Sequence, residues 1–179
     1  MQTIRSAYRA RARGTFAAAL LLVASLSRDA RAATATSNFT VTGNVVANCT
    51  ISTAGITFSY DPVVANAAAN ATATGTVTIA CTKGSAPTIG LSAGANSAAA
   101  GSLTPPAPRA MRLAATANYL GYDIYWPGTA TSWTTAAPYV PSAPGSKAAR
   151  TFNMDGAAFA GQDVTVGTYT DTVTATVNF

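Results

Sequence analysis

Histidine and glutamate are both missing from the 179 residues of this chain. Without histidine there is no Ser-His-Asp relay and no imidazole ligand for a metal. General acid–base work would fall to Asp, Tyr or Lys. A Ser–Lys pair would need Lys83 or Lys147, and neither sits in a recognisable motif. Charge is sparse as well, at 9% of residues. No apolar run reaches the roughly 20 residues needed to cross a bilayer. No segment carries the apolar stripe of an amphipathic helix. These absences argue against an enzyme, and no cofactor or metal is expected.

What the chain does carry begins with an export tag. Arg5, Arg9, Arg11 and Arg13 precede an apolar run at 15–27, centred on Leu20, Leu21, Leu22 and Val23. Ala30-Arg31-Ala32 then fits a small-x-small cleavage site. This order reads as a secretory signal peptide over residues 1–32, although Arg28 and Arg31 are unusual so near the cleavage site. The apolar run, at about 13 residues, is too short for a membrane anchor. Of the 11 Lys and Arg, six leave with the signal, and of the six acids only Asp29 does, so five of each remain. The basic balance is thus a property of the tag and gives no support for nucleic-acid binding.

The remaining residues suffice for one domain with one core. Cys49 and Cys81 are the two cysteines, and an even pair in an exported chain reads as a disulfide, with two buried thiols as the alternative. A bridge would close a loop of about 33 residues and contribute roughly 3–4 kcal/mol by the chain-entropy argument. Period-2 alternation marks strands at 38–47, 51–60, 74–81, 88–92, 109–113, 119–126 and 151–159. The Ala- and Asn-rich stretch 65–73, the Gly/Ser/Pro stretch 93–108 and the Pro-rich stretch 127–145 read as loops. Short strands with Gly- and Pro-rich turns indicate an all-β sandwich.

The final stretch, TYTDTVTATVNF over 168–179, is the cleanest strand. Tyr169, Asp171, Val173, Ala175, Val177 and Phe179 fall on one face, with Thr and Asn on the other. It would run roughly 35–40 Å and end the chain, so its edge is expected to lack a partner. Asp171 falls on the apolar face, where Arg109 or Arg112 would pair with it unless it lies at the sheet rim. Trp126, Trp133 and Tyr139 with their aromatic neighbours read either as a ligand-stacking surface or as core and loop cover.

In order, the elements resemble the spore coat U domain family, which includes pilins of the archaic chaperone–usher pathway. They are the alternating segment before Cys49, ITFSYDP at 56–62, the strand closing on Ala80-Cys81-Thr82, and Arg109-x-Met111. Next come Leu120-x-Tyr122-x-Ile124-Tyr125, Trp133, and Gly167-x-Tyr169-x-Asp171-Thr172-Val173 with alternation to Phe179. The resemblance implies an incomplete immunoglobulin-like sandwich over 49–179, open at an edge next to the C-terminal strand. A hydrophobic groove there, beside Tyr169, Val173, Ala175, Val177 and Phe179, would be filled first by a periplasmic chaperone. In the fibre, the N-terminal segment of the next pilin subunit would fill it at an outer-membrane usher. The corresponding donor candidate here lies in 33–48, with Phe39, Val41, Gly43, Val45 and Ala47 on one side. If 39–47 stays in its own sandwich, too little remains to donate, and a tip-like or non-polymerising subunit results. The resemblance thus implies a surface fibre or fimbrium, exported through the periplasm and serving adhesion or biofilm formation. The alternative is a secreted coat protein or adhesin that binds as a complete monomeric domain.

Overall fold

The computed structural model describes residues 33–179, so the signal-peptide reading lies outside the described residues. The chain divides into the units Met1–Thr42 and Gly43–Phe179. In the first, residues 33–42 form no helix or strand, and Phe39 and Val41 are exposed by 87% and 82%. In the second, residues 43–48 are also irregular, with Val45 exposed by 84%. The strand expected over 38–47 is therefore not formed. Alternating side chains suit a strand, but a strand is held by backbone hydrogen bonds to a neighbour, and these residues have no such ladder. Only its last residues are tied down. Thr82 Oγ1 donates to the Val46 carbonyl at 3.3 Å and accepts from Asn48 N–H at 3.0 Å, while Thr82 N–H donates to Asn48 O at 2.9 Å.

From there on the chain is almost entirely β. The strands are β1 (Cys49–Ala54), β2 (Ala71–Cys81), β3 (Thr88–Leu91), β4 (Arg109–Leu113), β5 (Tyr119–Tyr125), β6 (Arg150–Ala158), β7 (Tyr169–Thr170) and β8 (Ala175–Asn178). One turn of helix, α1 (Ser97–Ala100), interrupts the loop between β3 and β4. A six-stranded sheet runs β1-β2-β6-β5-β4-β7, and β3 and β8 form a second, two-stranded sheet. All pairings are antiparallel. The Cys49–Cys81 disulfide joins residues directly opposite each other in β1 and β2.

The two sheets enclose one core. Odd positions of β2 supply Val77, Ile79 and Cys81, β3 supplies Ile89 and Leu91, and β5 supplies Leu120, Tyr122 and Ile124. Trp133 is fully buried and donates its indole N–H to the Ile89 carbonyl at 2.6 Å. Arg109 is buried too, and it pairs with Asp123. Its remaining donors reach the Ser92 carbonyl at 3.1 Å and the Trp133 carbonyl at 2.6 Å, tying the larger sheet to the chain leaving β3. Each guanidinium N–H used is one less uncompensated polar group in the core.

Two expected strands are cut short. The strand expected over 51–60 ends at Ala54, and residues 55–60 continue without a ladder. The single strand expected over 168–179 is split. Tyr169 and Thr170 pair with β4, and Ala175–Asn178 pair with β3 in the other sheet. Tyr169, Asp171, Val173, Ala175 and Val177 are half-buried on one side, whereas Phe179 lies beyond β8 and is 52% exposed, and parity does not reveal that the chain changes sheets midway.

An open groove beside the C-terminal strand

β8 is an edge strand. Among the described residues only β3 pairs with it. Its hydrogen-bonding direction follows from its partner. Ile89 uses both its N–H and its C=O on Tyr139, each at 2.9 Å, on the far side of β3. The opposite residue, Val177, therefore sits in a non-hydrogen-bonded pair, and its N–H and C=O point away from β3. By the same alternation Ala175 does likewise. Ser92 N–H donates to Thr174 O at 2.9 Å, which fits that register. Val177 and Ala175 thus present apolar side chains to the interior and free backbone groups to the open side.

That open side is a groove of about 890 Å³. One wall is the C-terminal segment, including Val164, Tyr169, Val173 and Ala175. The other is residues 53–62, where Ile56, Phe58 and Tyr60 face inward. Leu91, Met111, Leu120, Ile124 and Met154 line it from the core. Ile56, Phe58, Tyr60, Met111, Val164, Tyr169, Val173, Ala175 and Val177 are all only partly buried while packed on the core. A closed sandwich would cover such side chains. Here the interior is continuous with the groove, and the groove is flanked by an unpaired strand edge.

The wall at 55–60 is seated by two glycines. A Cβ on Gly75 of β2 would lie 2.8 Å from Ile56 Cγ1 and 2.7 Å from the Ala54 carbonyl. A Cβ on Gly156 of β6 would lie 2.8 Å from the Phe58 ring. Gly75 lies opposite Met154 and Gly156 opposite Ala73, so two diagonally placed glycines on one face of the β2–β6 pair make a trough into which Ile56 and Phe58 settle. The sequence reading missed this role. An isolated glycine inside a strand pattern, as in TGTVTIAC, was the signal that would have pointed to it.

Asp171 marks where the C-terminal segment crosses between sheets. Its carboxylate accepts from Ala95 N–H at 2.9 Å, Asn96 N–H at 3.3 Å, Asn96 Nδ2 at 3.0 Å and Thr172 N–H at 2.9 Å. The second oxygen accepts from Tyr122 Oη at 2.7 Å. Burial, and then this carboxylate, push the Tyr122 phenol well above its ordinary range. The expected Arg109–Asp171 pair is thus corrected. Arg109 finds Asp123 on the adjacent strand, leaving Asp171 to backbone N–H groups and a phenol. Arg112 instead donates to the Thr116 carbonyl at 2.6 Å.

The aromatic residues are packing groups. Trp133 is fully buried, so it offers no face to a ligand. Tyr139 lies 5.3 Å from Trp133, 6.1 Å from Trp126 and 5.3 Å from Phe152, ring centroid to centroid. Trp126 donates its indole N–H to the Ala137 carbonyl at 3.2 Å. The cluster closes one flank of the core and holds down the Pro-rich loop.

Taken together, the fold and site define an immunoglobulin-like β-sandwich that is incomplete at one edge. A family model, the Spore Coat Protein U domain, matches residues 35–176, and the chain belongs to that family. No curated protein sequence matches it. Among solved structures it is similar to the CsuC–CsuE chaperone–tip adhesion subunit pre-assembly complex from archaic chaperone-usher Csu pili of Acinetobacter baumannii. The identity is 21% and the TM-score 0.55, over 75% of this chain. The match spans 40% of the length of that chain, and the likeness is one of fold.

Proposed function

We propose that this chain is a structural subunit of a bacterial surface fibre, assembled by chaperone–usher donor-strand exchange and serving adhesion or biofilm formation. The observation that carries this reading is the apolar groove that begins beside Ala175 of β8, whose edge continues beyond the groove to Val177 with the backbone groups of both residues turned outward. A β-segment laid there would pair with that edge while its alternate side chains enter the core. The proposed occupants are a periplasmic chaperone before assembly and another pilin subunit after it, exchanged at an outer-membrane usher. Family membership and the likeness to a chaperone–subunit complex support these partners. The role is structural rather than enzymatic.

The proposed donor is the segment carrying Phe39, Val41, Gly43 and Val45, exposed and without a ladder of its own. Burying Phe39, Val41 and Val45 at about 1.5–3 kcal/mol each makes a gross contribution of roughly 5–9 kcal/mol. Ala47 is a poorer candidate than its parity suggests, because Thr82 holds the backbone on either side of it. Deleting residues 39–45 should leave chaperone capture of the subunit intact and abolish fibre formation, read as the SDS-resistant ladder on a gel. Fibres built from the deleted chain would remove the donor assignment. A chain that instead refolds alone as a stable, non-polymerising monomer would favour a complete binding domain.

A further inference from the structure

The two ends of the sandwich differ in charge and polarity. At one end β2 finishes at Cys81, and Thr82 and Lys83 follow. Gly84 N–H donates to the Pro144 carbonyl at 3.0 Å, bringing the loop that carries Lys147 to the same end. Arg150 opens β6 opposite Ile79 of β2. Lys83, Lys147 and Arg150 thus share this end, together with the disulfide and the tie between Thr82 and residues 46–48.

At the other end β2 begins at Ala71 opposite Ala158. The turn over 61–66 and the loop after β6 meet there, through Gly161 N–H to Asn66 O at 2.9 Å and Tyr60 Oη to Phe159 O at 2.8 Å. This end carries exposed Asp61 and Asp163. It also carries Arg112, which is folded onto the Thr116 carbonyl and over the Tyr119 ring. It exposes three valines: Val63 by 81%, Val64 by 77% and Val166 by 95%. Pro62 and Val166 line the groove, so this apolar patch continues the groove past its mouth. The turn is held in shape by the Asp61 carboxylate, which accepts Val63 N–H at 2.9 Å and Val64 N–H at 3.2 Å.

We infer that this valine-bearing, acidic end is the docking surface for the body of the subunit that donates the β-segment. The occupant is a second copy of this chain, seated by its basic, disulfide end. The inference rests on the donor-strand reading, and two observations single out this end. The donor residues have almost no tether, because Thr82 holds Val46 and Asn48 against the body. A copy inserting residues 39–45 must therefore set its own Lys83 end against one mouth of the groove. Of the two mouths, the one at Pro62 and Val164 is flanked by apolar surface and by two carboxylates that complement the exposed Lys83 and Lys147, Arg150 being folded onto the Ser142 carbonyl and over the Phe152 ring. The direction of insertion follows. Val45 lies near Val164 and Phe39 near Ala175, so the inserted segment runs antiparallel to the chain from Val164 to Ala175.

The test is co-assembly of copies of the full chain that each carry one added cysteine beside the native Cys49–Cys81 disulfide. Lys83→Cys chains are mixed with Asp163→Cys chains, and in parallel with Asn178→Cys chains, which mark the opposite mouth. Covalent dimers are expected in fibres of the first mixture and not of the second. The reverse result, or fibres without covalent dimers in either mixture, overturns the docking surface and leaves strand addition standing. If the unaltered chain forms no fibres and does not bind a synthetic peptide of residues 37–47, the donor-strand reading itself falls, and this inference with it. A V63S/V64S variant, altered only outside the groove lining, separates the two further. It should bind the peptide as the parent does, while its fibres dissociate about tenfold faster, equivalent to about 1.4 kcal/mol. Unchanged fibre dissociation in that variant counts against the surface.

Discussion

At the scale of single residues, the buried carboxylate of Asp123 and the half-buried carboxylate of Asp171 have opposite solutions. Asp123 is neutralised by Arg109, a fully buried cation that also serves the carbonyls of Ser92 and Trp133. Asp171 is solvated by the protein's own donors where the C-terminal segment changes sheets. Asp171→Ala strands the Tyr122 hydroxyl and releases the 95–96 turn. It should cost about 2–4 kcal/mol, read as a urea midpoint with the groove filled by peptide. Asp171→Asn should cost less, since one oxygen keeps its acceptor role and the phenol can turn to accept from the new amide. The raised pKa of Tyr122 has a definite sign. Below the ordinary phenol value of 10.0 both folded and unfolded chains are protonated, and the group adds no slope. Above pH 10.0 the unfolded chain ionises first, so stability falls as pH rises. Stability curves from pH 9 to 11 should therefore slope downward, and Tyr122→Phe should remove this group's share of the slope.

At the scale of elements, the strands most legible in the sequence are those whose alternation meets a neighbour along their whole length. β4, β5 and β6 fall within a residue of where their patterns place them. Residues 38–47 and 55–60 alternate just as clearly but form no strand, because periodicity reports which side chains share a face and not whether a ladder partner exists. Both segments belong to the proposed joint, one as donor and one as groove wall. The Gly75–Gly156 trough tests the wall. Gly156→Val would drive side-chain carbons into Phe58, destabilising the domain by about 1–3 kcal/mol. By displacing residues 55–60 it should also weaken binding of the 37–47 peptide, measured by calorimetry, more than an equally destabilising change far from the groove.

At the scale of the whole molecule, the described residues enclose most of a core and leave a groove of about 890 Å³ open at one side. Val177 packs on the core with its backbone groups turned outward, so Val177→Asp would place a carboxylate against the apolar core beyond the end of the groove without touching the β3 ladder. Chaperone capture and secretion should be lost, measured as subunit recovered with chaperone from the periplasm. Unchanged secretion would remove Val177 from the strand edge that the proposed partners engage. Which parts of this were decided by sequence divides along a physical line. Local properties are written in residue types. These are the β periodicity, the even cysteine pair, the absence of histidine and glutamate, and the apolar face of residues 169–179. They depend only on residue counts or on each residue and those one or two positions away. Tertiary structure alone decided that Arg109 takes Asp123, that the last strand divides between two sheets, that Trp133 is sealed in the core, and that two glycines seat the groove wall. Each of these joins positions 14 or more residues apart, where the outcome depends on which surfaces the folded chain brings into reach.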